Sequence, residues 1–209
     1  MQLDPSAFNQ LLNDIGQRMS WRRAFACPCV NPQSGSPKAT CPSCHGKGRT
    51  WAAAVLGLSG IAGTKVQREW AQFGQWESGD TVLTIPSDSP LYAMGPFDRV
   101  ILLDNTEPFS FFLTRGRNDL LRCPNESIDR VFWLDGLGAP VEGGIPLVSG
   151  DGVLTWLSGE PPDGTQYSIT GRQKPEYFVY ADLPATRAMH SGAALPRKVV
   201  LRKFDVMGR

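Results

Sequence analysis

Between residues 4 and 20 the apolar side chains Phe8, Leu11, Leu12, Ile15 and Met19 recur at three- and four-residue intervals, the spacing that places them on one face of an α-helix. Ser6 or Asp4 suits the cap, and Gly16-Gln17-Arg18 offers no strong stop, so a helix over 4–20 is expected, the only convincing one in the chain. Its stripe reads as a docking face, for the chain's own core or for a neighbouring subunit. From about Trp51 the pattern changes to short runs rich in β-branched and aromatic residues, at 81–85, 99–103, 109–114, 131–134, 153–157, 166–170, 176–181 and 198–204. Turn signals such as Ser78-Gly79-Asp80, Ser149-Gly150-Asp151-Gly152 and Pro161-Pro162-Asp163-Gly164 separate them. The pattern predicts a mainly β protein, an antiparallel β-barrel or sandwich behind an N-terminal helix. The run 197–205 carries cations on both faces and is expected at an edge or a subunit contact.

Residues 27–49 follow neither period. Cys27-Pro28-Cys29 and Cys41-Pro42-Ser43-Cys44 stand eleven residues apart in a stretch rich in Pro, Ser, Gly and Asn. A tetrahedral metal ion takes two short hooks of this kind, each bringing two thiolates to one side. In Cys44-His45-Gly46-Lys47-Gly48 the glycines allow a tight knuckle whose backbone N–H groups reach the sulfurs. The spacing therefore points to a structural Zn²⁺ held by Cys27, Cys29, Cys41 and Cys44, with His45 as the alternative fourth ligand. The bland reading is four thiols in a surface loop. A catalytic zinc fits poorly, because no Asp or Glu lies between Asp14 and Glu69 to act as a base. A redox role fits poorly too, since Gly46 and Gly48 oppose the helix that usually follows a reactive pair. Cys123 stands alone and reads as an inert thiol.

The organisation expected is a helix-plus-cysteine module over 1–50 and a β-barrel domain over 51–209, with an inserted β-subdomain around 90–160. Chemistry beyond the cysteines is thin: no nucleophile elbow, phosphate loop or dinucleotide fingerprint occurs. His190 sits in a Gly/Ala-rich loop, and Asp104 and Glu107 flank a turn where carboxylates serve local hydrogen bonds. No catalytic residue is assigned and no enzyme is expected.

Composition narrows this further. With 209 residues, 41% hydrophobic and 20% charged, collagen-like, disordered and supercharged classes are excluded. The most apolar stretch, 52–63, is far shorter than the roughly 20 residues of a membrane helix, and the N-terminus lacks the order of a signal peptide, so a cytosolic chain with reduced thiols is expected. The net charge of +1 argues against bulk coating of nucleic acid. It hides a pattern: residues 1–70 carry 8 basic and 3 acidic groups, 71–165 carry 5 and 14, and 166–209 carry 8 and 3. Blocks of opposite sign fit ring contacts between copies, or neutralisation inside one chain.

The N-terminal helix running into Trp21-Arg22-Arg23-Ala24-Phe25-Ala26-Cys27-Pro28-Cys29, then Asn31-Pro32-Gln33-Ser34-Gly35 and the Cys41–Gly48 knuckle, resembles the start of small virion proteins of tailed bacteriophages, encoded among the neck (head-tail connector) and tail genes. Pro162-Asp163-Gly164-Thr165-Gln166-Tyr167-Ser168-Ile169-Thr170-Gly171, Tyr177-Phe178-Val179-Tyr180 and the closing run 195–204 are similar to the β-barrel of neck and head-closure proteins. Residues 90–160 match no motif of that family. The resemblance implies a non-enzymatic, homo-oligomeric ring subunit in the virion neck, assembled in the host cytoplasm. It would join the portal or a portal adaptor to the tail and frame a channel through which DNA passes without sequence-specific binding. It also implies a structural metal on the four cysteines. A different class of function is a zinc-ribbon nucleic-acid-binding protein, because Lys38, Lys47 and Arg49 decorate the knuckle and Trp51 is close enough in sequence to stack on a base. A chaperone-like Cys/Gly domain needs several such repeats, and this chain has one.

Overall fold

The computed structural model describes residues 5–207 apart from 75, 118, 184–187 and 191. Helix α1 (Pro5–Ile15) leads into β1 (Gln17–Arg22), the short strands β2 (Ala24–Ala26) and β3 (Arg49–Trp51), β4 (Val55–Ile61) and helix α2 (Thr64–Gln72). Strands β5 (Thr81–Ile85), β6 (Arg99–Leu102), β7 (Glu107–Thr114), β8 (Asn125–Leu134) and β9 (Pro140–Glu142) follow. The rest is β10 (Leu147–Val148), β11 (Leu154–Thr155), β12 (Gln166–Gln173), β13 (Glu176–Asp182), β14 (Met189–His190), β15 (Ala193–Ala194) and β16 (Arg197–Lys203). The fold is mainly β, and six antiparallel strands close a barrel in the order β1-β4-β5-β16-β13-β6. Two compact units result: residues 1–104 with 176–209, and residues 105–175. The cysteine module belongs to the first.

The helix expected over 4–20 ends at Ile15, and residues 17–22 form a barrel strand instead. The stop is Gly16, where a Cβ would lie 2.3 Å from the Leu12 carbonyl oxygen. Met19 sits at helical spacing from Ile15 but also alternates with Trp21, and both point into the barrel, 0% and 6% exposed. Burying two large side chains on a strand outweighs continuing a helical stripe. Of the two candidate caps, Ser6 falls inside the first turn, and Asp4 lies outside the described residues.

Inside the barrel Met19, Trp21, Leu83, Ile85, Val100, Leu102, Val179, Val199 and Leu201 meet Leu91 of the 3₁₀ turn Pro90–Ala93 and Met94, which follows it. Leu91 fits because Gly57 faces it: a Cβ at 57 would lie 2.6 Å from Leu91 Cγ. Outside the barrel, α2 lays Trp70 and Val66 over Val82, Val200 and Leu183. The sequence reading missed α2, whose nine residues carry little apolar signal beyond Val66, Trp70 and Ala71. This cover also corrects the place of β16, which is no edge but pairs on both sides, with β5 and β13. Its Val199 and Leu201 point inward, while Arg202 is buried outside in a two-pronged pair with Asp80 (3.0 and 2.9 Å) and lies 3.8 Å from the Tyr180 ring.

In the second unit the sheet β7-β12-β8-β9 buries Phe109, Leu113, Val131, Tyr167 and Ile169 with Leu121 and Leu154. The run expected as a strand at 153–157 is reduced to Leu154–Thr155. Cys123 is half-buried against this core. Among the described residues no helix is long and apolar enough to cross a membrane.

Candidate metal centre

Strands β2 and β3 form a ribbon with Ala24 opposite Trp51 and Ala26 opposite Arg49. The ribbon closes with the Cys27 N–H donating to the Gly48 carbonyl (2.9 Å). Its two arms carry the cysteine hooks toward each other. The second hook is a knuckle in which the His45 N–H donates to the Cys41 carbonyl (2.9 Å) and the Lys47 N–H to the Cys44 carbonyl (3.0 Å). Gly46 and Gly48 take φ of +81° and +70°, the left-handed region that glycine enters without strain.

Four sulfurs converge there. The Sγ atoms of Cys27, Cys29, Cys41 and Cys44 all lie within 4.8 Å of one another, with Cys27–Cys41 at 3.8 Å and Cys29–Cys44 at 3.5 Å. A disulfide needs about 2.05 Å, so these are four free thiols. Four thiolates each about 2.3 Å from one central ion stand about 3.8 Å apart along the edges of the tetrahedron. The Cys27–Cys41 and Cys29–Cys44 separations are close to that edge and the whole set lies within 4.8 Å, so the donor set suits a metal ion with four soft ligands. His45 is exposed and is not part of the cluster, and no carboxylate joins it among the described residues.

The surroundings of the sulfurs set two of these thiols in opposite directions. Backbone N–H groups of Cys44 and Ser43 pull the Cys41 thiol down to about 6. The Lys38 N–H acts on Cys29 in the same sense, but burial and the three neighbouring thiols push that thiol up to about 12. Four negative sulfurs at this spacing repel one another, and a cation between them relieves that repulsion.

The module is fixed to the barrel by a layer that the sequence did not disclose. Asp98, 3% exposed, accepts from Trp21 Nε1 (2.7 Å), the Ala24 N–H (2.7 Å) and the Gly95 N–H (2.8 Å). Lys47 Nζ donates to the Met207 carbonyl (2.7 Å) and lies over the Phe204 ring. Arg49 stacks on Phe97 at 4.2 Å, and Trp51 donates from Nε1 to the Phe97 carbonyl (3.2 Å) while its ring meets Phe204 edge-on. Arg99 covers Phe204 and pairs with the buried Glu176. Of the residues a nucleic-acid reading needs, Lys47, Arg49 and Trp51 are therefore engaged in docking, and Lys38 is exposed. Only partner identity, never local pattern, would have revealed this layer, since Lys47 and Met207 are 160 positions apart.

The remaining sequence candidates are not among the groups of the metal site. Asp104 holds Arg18 (2.6 Å), Glu107 accepts from Gln173, and His190 is half-buried on β14. Comparison of the chain with protein-family models and with curated proteins gives no match.

Proposed function

We propose that the chain is a structural virion protein of a tailed phage, a non-enzymatic subunit of a neck ring. The ring joins the capsid portal, or an adaptor on it, to the tail and frames the DNA channel, and it is assembled in the host cytoplasm. The observation that carries the reading is the outward stripe of α1. Phe8, Leu11 and Ile15 are 44%, 49% and 68% exposed while the polar Asn9 on the same helix is buried. A self-contained monomer places those residues the other way round. The kind of assembly comes from the sequence resemblance.

In this reading Zn²⁺ fills the four-thiolate site. A complete shell leaves no position for water or substrate, so the metal's work is to hold a loop without a hydrophobic core of its own. Acidic side chains from 71–165 that line the channel repel passing DNA. The zinc-ribbon alternative is weaker, because Lys47, Arg49 and Trp51 are spent on the barrel and leave it Lys38 alone of the cations it was argued on.

Light scattering on the purified chain, protein analysis of purified particles and elemental analysis test the proposal. The expected outcome is a multi-subunit mass, presence in virions and about one zinc per chain. A strictly monomeric chain absent from particles overturns it, and tight nucleic-acid binding with a steep salt dependence would favour the ribbon.

A further inference from the structure

The α1 stripe has a counterpart in the second unit. Strand β12 lies between β7 and β8, and its Ser168 is the register partner of both Phe112 and Phe132. Paired residues project to the same side of a sheet, and Leu134, two positions beyond Phe132, projects with them. Tyr167, Ile169, Val131 and Leu113 point to the opposite, buried side. The outer side therefore carries Phe112, Phe132 and Leu134, which are 69%, 39% and 60% exposed, around a floor formed by Ser168 at 4%, bordered by the exposed Arg130–Glu142 ion pair. Phe112 and Phe132 are two strand spacings apart, about 10 Å, close to the width of a helix with its side chains.

The helix is held so that its stripe stays outward. Leu12 and Asn9 face the barrel, Asn9 Nδ2 donates to Ser87 Oγ (2.8 Å), and the Ser87 N–H donates back to Asn9 Oδ1 (3.1 Å). The two units also differ in sign. Residues 105–175 carry 6 basic and 9 acidic groups, net −3, and the remaining chain carries 15 and 11, net +4.

We infer that α1 of one copy lies across the outer face of the β7-β12-β8 sheet of the next copy, with Leu11 seated over Ser168 between Phe112 and Phe132. The occupant is a second copy because the chain supplies both halves of the contact: an apolar ridge on a positive unit and an apolar groove on a negative one. Such a contact joins two different surfaces, so it propagates head to tail, the kind of contact from which a cyclic ring is built. This deepens the neck-ring reading and rests on it.

The test is mass in solution for the full-length chain and two double variants, Leu11→Asp with Ile15→Asp on the helix and Phe112→Asp with Leu134→Asp on the sheet. Each variant alone is expected to be monomeric with an unchanged circular dichroism melt. An equimolar mixture is expected to stop at a two-chain species, because only one intact contact forms. Leu11→Gln and Phe112→Gln replace the Asp variants if those fail to fold. If the wild type is oligomeric and either variant assembles as it does, this contact is overturned and the ring reading stands. If both variants are monomeric but their mixture yields no two-chain species, the surfaces do not pair with each other and the contact is again overturned. A wild type that stays monomeric at all concentrations overturns both.

Discussion

Arg202 lies on a strand that the sequence marks as hard to bury, since cations occur on both of its faces, yet it is 7% exposed. The answer is one residue far away in sequence: Asp80 meets the guanidinium on both oxygens and also accepts from Trp70 Nε1 and the Glu77 N–H. A buried cation is tolerated when a carboxylate with its remaining lone pairs satisfied stands opposite. No local pattern announces that, so the chain's charge was legible and its pairing was not. The cysteines are the reverse case, legible because both hooks are short and chemically distinctive. They also carry the sharpest prediction at this scale. Cys41→Ser removes the sulfur that accepts two backbone N–H groups, and we expect metal content to fall from about one per chain to none. Amide exchange should show residues 27–48 losing protection while β13 and β16 keep theirs, because the barrel core contains no part of the site. Full metal content in the variant, or a barrel that unfolds with the loop, would show that the cysteines do not form one separable metal-held module.

Among the elements, the barrel strands β5, β6, β13 and β16 followed from short runs rich in β-branched and aromatic residues, within a residue or two at their ends. Strand β1 did not, because Met19 satisfies both the helical interval from Ile15 and the strand interval to Trp21, and only tertiary burial decides between them. Helix α2 was illegible for a different reason: it covers the barrel with little more than Trp70 and Val66, too few to mark a period. The 3₁₀ turn Pro90–Ala93 plugs the barrel through Leu91 against Gly57, a pairing that yields a double-mutant prediction. Gly57→Ala should cost about 1–3 kcal/mol through overpacking, and Leu91→Ala should cost about 2–5 kcal/mol through the cavity it leaves. The double variant should be more stable than the sum implies, because the new methyl occupies part of that cavity. Urea unfolding of the four proteins measures this. Strict additivity would mean that the two positions do not share the space the structure gives them.

At the scale of the molecule, the sum of +1 conceals an arrangement that sequence blocks describe only in part. Some opposite charges cancel inside the barrel unit, as Arg202 does with Asp80 and Glu77, and Arg18 with Asp104. Pairs within a unit leave that unit's net charge unchanged, so +4 and −3 survive every such pairing. The separation was invisible in the sequence because the acidic stretch 71–165 straddles the boundary at Asp104, giving Glu77, Asp80, Asp88, Asp98 and Asp104 to the positive unit. Charge of this kind acts mainly on encounter, whereas apolar side chains hold the formed contact. Between about 0.01 M and about 1 M salt the screening length contracts from about 30 Å to about 3 Å, so the association rate of copies should fall steeply over that range. The dissociation rate should change little, since Leu11, Ile15, Phe112 and Leu134 are apolar and salt does not screen them. Stopped-flow light scattering after dilution and after remixing separates the two rates. A dissociation rate that rises with salt as steeply as association falls would mean that ion pairs, and not the helix stripe on the sheet, hold the copies together.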